Sequence, residues 1–103
     1  MTETESLSQK LNRETAKIHW QALEQHYQQG AVIVVSSDLD LINVAIAFAE
    51  DKRDLVEQWL HNTEIKKVDS TQAQHWAKEN PEFWAVVIAP WVLIQEPREP
   101  LNK

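Results

Sequence analysis

The sequence predicts an α+β domain: a small mixed or antiparallel sheet of two to four strands packed against four to five helices. Three observations carry this expectation. Two stretches, "AVIVV" at 31–35 and "FWAVVIAPWVLIQ" at 83–95, are apolar at both alternating positions, the pattern of strands covered on both faces. The stretches before and between them place apolar residues at helical spacing. The chain has 103 residues, one domain's length, and a domain of that size buries roughly 65% of its unfolded surface, enough for one modest core.

The elements follow in order. Residues 1–5 are polar and expected to fray. A helix is expected over 6–18, with Leu7, Leu11 and Ile18 on one face and a bend at His19 or Trp20. Trp20, Leu23 and Tyr27 continue a stripe to Gly30, which suits the left-handed position closing a helix because it has no Cβ to clash. The strand 31–35 leads into "SSDLD", where Ser37 and Asp40 have capping-box spacing. Helix 38–50 is apolar almost all round and should be the most buried. At "EDKRD", Asp51 with Asp54 suggests a second capped helix carrying Leu55, Val56, Trp59 and Leu60. One bent helix over 38–61 is the alternative. "IKKV" at 65–68 reads as a short strand or extended link, and Asp69 with Gln72 as the cap of a helix that stops at Asn80-Pro81.

Pro90 interrupts the last apolar run. Tight hairpin turns need positive φ, which proline cannot adopt, so 83–95 is expected to be one strand kinked at Pro90. A type VI turn with a cis Ala89-Pro90 bond is the alternative, and cis accounts for only about 5–6% of X–Pro bonds. The domain is expected to span 6–96, followed by a disordered proline-containing tail at 97–103.

Composition narrows the function classes. The chain lacks cysteine, which removes disulfide frameworks, zinc ribbons and thiol nucleophiles together. A single glycine leaves no Gly-rich phosphate loop. Sixteen acidic against ten basic residues give a net charge of -6, and the basic pairs Lys52-Arg53 and Lys66-Lys67 form no stripe, so nucleic acid is not an expected partner. No apolar run approaches the ~20 residues of a membrane helix, and "MTETESLSQ" lacks the pattern of a secretory signal. A cytoplasmic protein without membrane partners is expected.

No catalytic constellation is evident. His19 and His26 are seven residues apart, about 10.5 Å of helical rise, too far to share one metal; His61 and His75 lie on separate elements. No metal site or cofactor is expected. Glu50, Asp51 and Asp54 cluster at a helix junction, where capping explains the aspartates and Glu50 directly follows a buried face. Ser36, Ser37, Ser70 and Thr71 sit in cap or turn contexts without a nucleophile elbow. The Trp-rich end offers three readings. Trp84 and Trp91 fill the core, bind a partner copy through the C-terminal strand, or line a ligand pocket with Gln95 at its far end.

"KLNRETAKI", "GAVIVV", "LDLINVAIAFAED", "WL" and "FWAVVIAPWVLIQE", in that order, resemble a family of small bacterial proteins catalogued as domain of unknown function 2288. The resemblance covers about residues 7–96 and rests on order and spacing. It implies a soluble bacterial protein and carries over no activity, substrate or functional residue. Together these readings favour a non-enzymatic interaction or regulatory module acting as a homodimer. The alternative is a small enzyme or ligand sensor, with Trp84, Trp91, Gln95, Glu50 and His19 as the ligand or interface candidates.

Overall fold

A computed structural model describes residues 6–97; the expectations for 1–5 and 98–103 lie outside it. Five helices and five strands alternate as α1 (Leu7–Glu14), β1 (Ala16–His19), α2 (Trp20–Gln28), β2 (Val32–Val35), α3 (Leu41–Ala49), α4 (Arg53–His61), β3 (Ile65–Lys67), α5 (Ser70–Glu79), β4 (Glu82–Ile88) and β5 (Trp91–Gln95). The strands form one mixed sheet in the order β1-β4-β5-β2-β3. The β2–β5 pair is parallel and the other pairs are antiparallel. The class is α+β, but the sheet has five strands where two to four were expected.

The sheet is covered on both faces. On one, α2 and α5 bury Trp20, Leu23, Ala73 and Trp76 against Val32, Phe83, Ala85, Val92 and Ile94. Trp76 meets Phe83 edge to face, with ring centroids 4.7 Å apart, and Trp20 lies 5.2 Å from Trp76. These are favourable aromatic geometries, so two of the five tryptophans are core residues. On the opposite face, α1 and α3 bury Leu11, Leu41, Val44 and Ala45 against Ile33, Val35, Val86 and Leu93. Strands covered on both faces are apolar at alternating positions of both kinds, which is why 31–35 and 83–95 read as apolar runs, although Trp84 and Val87 of β4 remain exposed.

Several local signals act as expected. Gly30 closes α2 with φ +74. The Asp69 side chain accepts a hydrogen bond from the Gln72 backbone N–H at 2.8 Å and starts α5. Asn80 ends that helix in the left-handed region, with φ 48.

The helix expected over 38–50 begins only at Leu41, with Asp40 rather than Ser37 as its N-cap. Four further expectations need correction. The helix over 6–18 stops at Glu14, where Thr15 turns extended and its Oγ1 donates to the Leu11 carbonyl. Ala16–His19 is instead an edge strand paired with β4, and Ile18 packs into the aromatic core. Pairing to an open strand edge outweighs helical spacing in a four-residue segment. The Asp51 cap is also absent. Asp51 adopts φ 58 between two separate helices, and Lys52 is the N-cap of α4 without a side-chain cap bond.

The third correction concerns Pro90. β4 and β5 form a tight antiparallel hairpin, with Ile88 opposite Trp91 and Val87 opposite Val92. The Ala89-Pro90 peptide bond is cis, the arrangement a type VI turn requires at its third residue, so the turn closes without positive φ. The fourth follows from strand order. Both edges of β5 are occupied, by β4 and β2, so the C-terminal strand has no edge to offer a partner copy.

Candidate functional site

The hairpin decides where the tryptophans go. Trp84 pairs with Gln95 at the open end of the ladder, and Trp91 pairs with Ile88 beside the turn. Positions 84 and 88 are about 13 Å apart at the usual strand rise. Trp84 and Trp91 therefore serve two separate concavities on the face covered by α1, α3 and α4.

The concavity at the Trp84 end measures about 500 Å³ and is bordered by Asn12, Thr15, Trp84, Gln95 and the loop from Asp38 into α3. Several of its polar side chains, Thr15, Asp40 and Gln95, are already engaged with the backbone. Gln95 Nε2 donates to the carbonyls of Ser36 and Leu39, at 2.8 Å each, and so pins the β2–α3 connection to the sheet. Asp40 caps α3 by accepting from the Ile42 N–H at 2.9 Å. The Asp38 N–H donates to Ser36 Oγ. Trp84 itself is 37% exposed, with Lys17 Nζ 5.1 Å from its ring centroid.

The concavity at the Trp91 end is a groove of about 320 Å³ between the α3–α4 pair and strands β2, β3 and β5. The sheet supplies Ile33, Ile65, Lys67 and Trp91; α3 supplies Ala47 and Phe48; α4 supplies Val56, Glu57 and Leu60. The Phe48 ring stands edge-on to Trp91, with centroids 6.5 Å apart. Lys67 Nζ lies 5.5 Å from the Trp91 centroid, within cation–π range. Lys67 reaches this groove because it sits opposite Ile33 in the β2–β3 ladder and shares that residue's face.

Helix α4 explains why the groove stays open. Leu55, Val56, Trp59 and Leu60 span an arc of about 140° at 100° per residue. Only the middle of that arc, Val56 and Trp59, packs on the core. The flanks stay out: Leu55 is 38% exposed, and Leu60, 47% exposed, forms the lip of the groove.

The other sequence candidates join neither concavity. Glu50 is an exposed residue at the C-cap of α3, with its Oε1 3.3 Å from Lys52 Nζ. His19 ends the edge strand β1 opposite Glu82 and is exposed. His75 is exposed and lies 3.3 Å from Glu79. Among the described residues, no group of three or more His, Asp or Glu side chains is arranged to hold a metal, and no helix is long and apolar enough to cross a membrane. Sequence reasoning missed Lys67, Phe48, Val56 and Leu60 as groove residues. The two-residue period of "IKK", which puts Ile65 and Lys67 on one face, was the one available signal.

The chain belongs to the family described as protein of unknown function (DUF2288), whose model matches residues 6–96. No curated protein matches it. Among solved structures, it is similar to the NMR solution structure of PA1075 from Pseudomonas aeruginosa, with 42% sequence identity and a TM-score of 0.79. That match covers 100% of this chain and 96% of the other.

Proposed function

We propose that this DUF2288 protein is a non-enzymatic binding module whose recognition site is the Trp91 groove. The observation that carries the reading is the groove's construction: an aromatic pair, Phe48 and Trp91, walled by Ile33, Val56, Leu60 and Ile65, with charged side chains at the rim. An apolar concavity with a few convergent polar groups is the general form of a small-molecule site, and about 320 Å³ falls at the small end of such sites. The Trp84 concavity is larger, but its Gln95 and Asp40 are committed to holding the backbone.

Proton–nitrogen correlation NMR with a set of small amphipathic compounds tests the reading. Binders should shift the Trp91 indole N–H and the Phe48, Val56 and Leu60 amides saturably, leaving Trp84 unmoved. Saturable binding confined to the Trp84 end, or none anywhere, overturns it.

A homodimer is the second reading, and the exposed Leu55 flank of α4 favours it. Such a dimer uses α4 rather than the fully paired β5. Light scattering during gel filtration should then give 2 × 12.0 kDa, about 24 kDa. A clean monomer at high concentration removes it.

A further inference from the structure

We propose that the occupant of the Trp91 groove is a small organic carboxylate with a compact apolar body, its acid group held by Lys67 and its body lying against Trp91, Phe48 and Leu60. This inference rests on the groove being a binding site and adds the chemistry of the ligand.

Charge is the first argument. The whole chain carries -6, so an anion is repelled by most of its surface. The groove evens that balance locally: its lining holds Lys52, Arg53 and Lys67 with Asp51 and Glu57, and Glu50 stands beside Lys52. The three cations differ in commitment. Lys52 Nζ lies 3.3 Å from Glu50, and Arg53 Nε lies 3.4 Å from Asp51. Lys67 has no carboxylate within ion-pair distance among the described residues, and its ammonium rests over the Trp91 ring. An ammonium keeps three donors, and an aromatic face satisfies none of them as a hydrogen-bond acceptor would. Lys67 is exposed and its donors are met by water, so a ligand carboxylate would be its first fixed acidic partner among the described residues.

Shape is the second argument. The walls beneath Lys67 are aromatic and aliphatic, and Leu60 extends them as an exposed lip. A purely ionic ligand would leave those walls in water; a neutral apolar one would make no use of the exposed, hydrated Lys67 ammonium beside them. Burial of the body supplies most of the affinity, in proportion to the apolar area covered, while the acid group fixes orientation and selectivity. One carboxylate and one compact ring or short chain match one cation and one small groove.

The test compares 2-naphthoate with its neutral isostere 2-naphthamide, titrated into the full chain and read by proton–nitrogen correlation NMR. The acid should bind roughly three- to tenfold more tightly than the amide, the range expected for one charge-assisted contact near the surface. Its shifts should centre on the Trp91 indole N–H, Phe48 and Leu60. Lys67→Gln should abolish the preference. Lys66→Gln should keep it, because Lys66 sits opposite Val34 on the other face of the sheet. Well-dispersed spectra of both variants establish that they are folded. Equal affinities for acid and amide in the groove, or an acid preference that survives Lys67→Gln, would overturn the carboxylate assignment while leaving the groove as a site. Binding of neither probe in the groove, or acid binding centred on Trp84 and Lys17, would overturn both.

Discussion

Gln95 is a structural clamp, and replacing it should cost stability. Its Nε2 donates two hydrogen bonds of 2.8 Å, to the carbonyls of Ser36 and Leu39, in a partly buried setting. An intramolecular hydrogen bond contributes about 1 kcal/mol net, so Gln95→Leu, which keeps the bulk and removes the donor, should lose roughly 2 kcal/mol. The two carbonyls differ in exposure to this loss. Ser36 O still accepts from the Leu39 N–H at 3.0 Å, so most of the penalty falls at Leu39 O. Gln95→Glu should cost more at neutral pH, because carboxylate oxygens would then face carbonyl oxygens with no donor between them. With a urea m-value of about 2 kcal/mol/M, the Leu variant's midpoint should fall by about 1 M, and its Tm by roughly 10 °C. Amide exchange should quicken first over residues 36–42, the loop the clamp holds. If Gln95→Leu unfolds within about 0.5 kcal/mol of the parent chain, or Gln95→Glu matches it, the clamp argument is wrong and Gln95 returns as a candidate ligand contact.

Two further stability predictions probe the core and a turn. Leu23, fully buried between α2 and the sheet, should lose about 2–5 kcal/mol on Leu23→Ala, against about ±0.5 kcal/mol for Gln25→Ala at an exposed position of the same helix; urea midpoints compare them, and equal losses would misplace the core. Asn80 holds φ 48 while its Oδ1 accepts from the Gln21 N–H at 2.9 Å, so Asn80→Ala loses both a tolerated left-handed residue and a bond, about 2 kcal/mol, while Asn80→Gly loses only the bond; if alanine unfolds no earlier than glycine, the left-handed conformation is not what Asn80 supplies.

Much of the fold was legible because many of its determinants are local. Gly30 and Asp69 act within a few residues of themselves, and β2 advertises its two covered faces in five consecutive letters. β1 was hidden because nothing inside Ala16–His19 demands extension; the demand comes from the edge of β4, more than sixty residues later in the chain. The hairpin was hidden because proline excludes the common two-residue turns, and the argument for a kink held only for a trans bond. The candidate site was half legible. Trp91 was visible as an unusual aromatic, but its partners Phe48, Leu60 and Lys67 come from three elements that meet only in the folded chain.

The two lysine–tryptophan pairs sharpen what Lys67 is for. Lys17 lies over Trp84 and Lys67 over Trp91, and each lysine comes from an edge strand, β1 or β3. Lysine on an edge strand discourages pairing with another chain, and that purpose alone accounts for finding one on each edge. It does not account for their surroundings. Around Trp84 the side chains of Thr15, Asp40 and Gln95 hold backbone groups, so Lys17 covers an aromatic ring at the border of a polar hollow. Around Trp91 the walls are aromatic and aliphatic, one of them an exposed leucine, and of the cations in the groove Lys52 and Arg53 stand beside carboxylates while Lys67 lies over the Trp91 ring. Edge protection needs only charge, and Lys66, on the same strand and facing the other way, already provides it. Its presence makes Lys67 redundant for guarding the edge, and the orientation of Lys67 over the groove is the part of its placement that recognition of an anion explains.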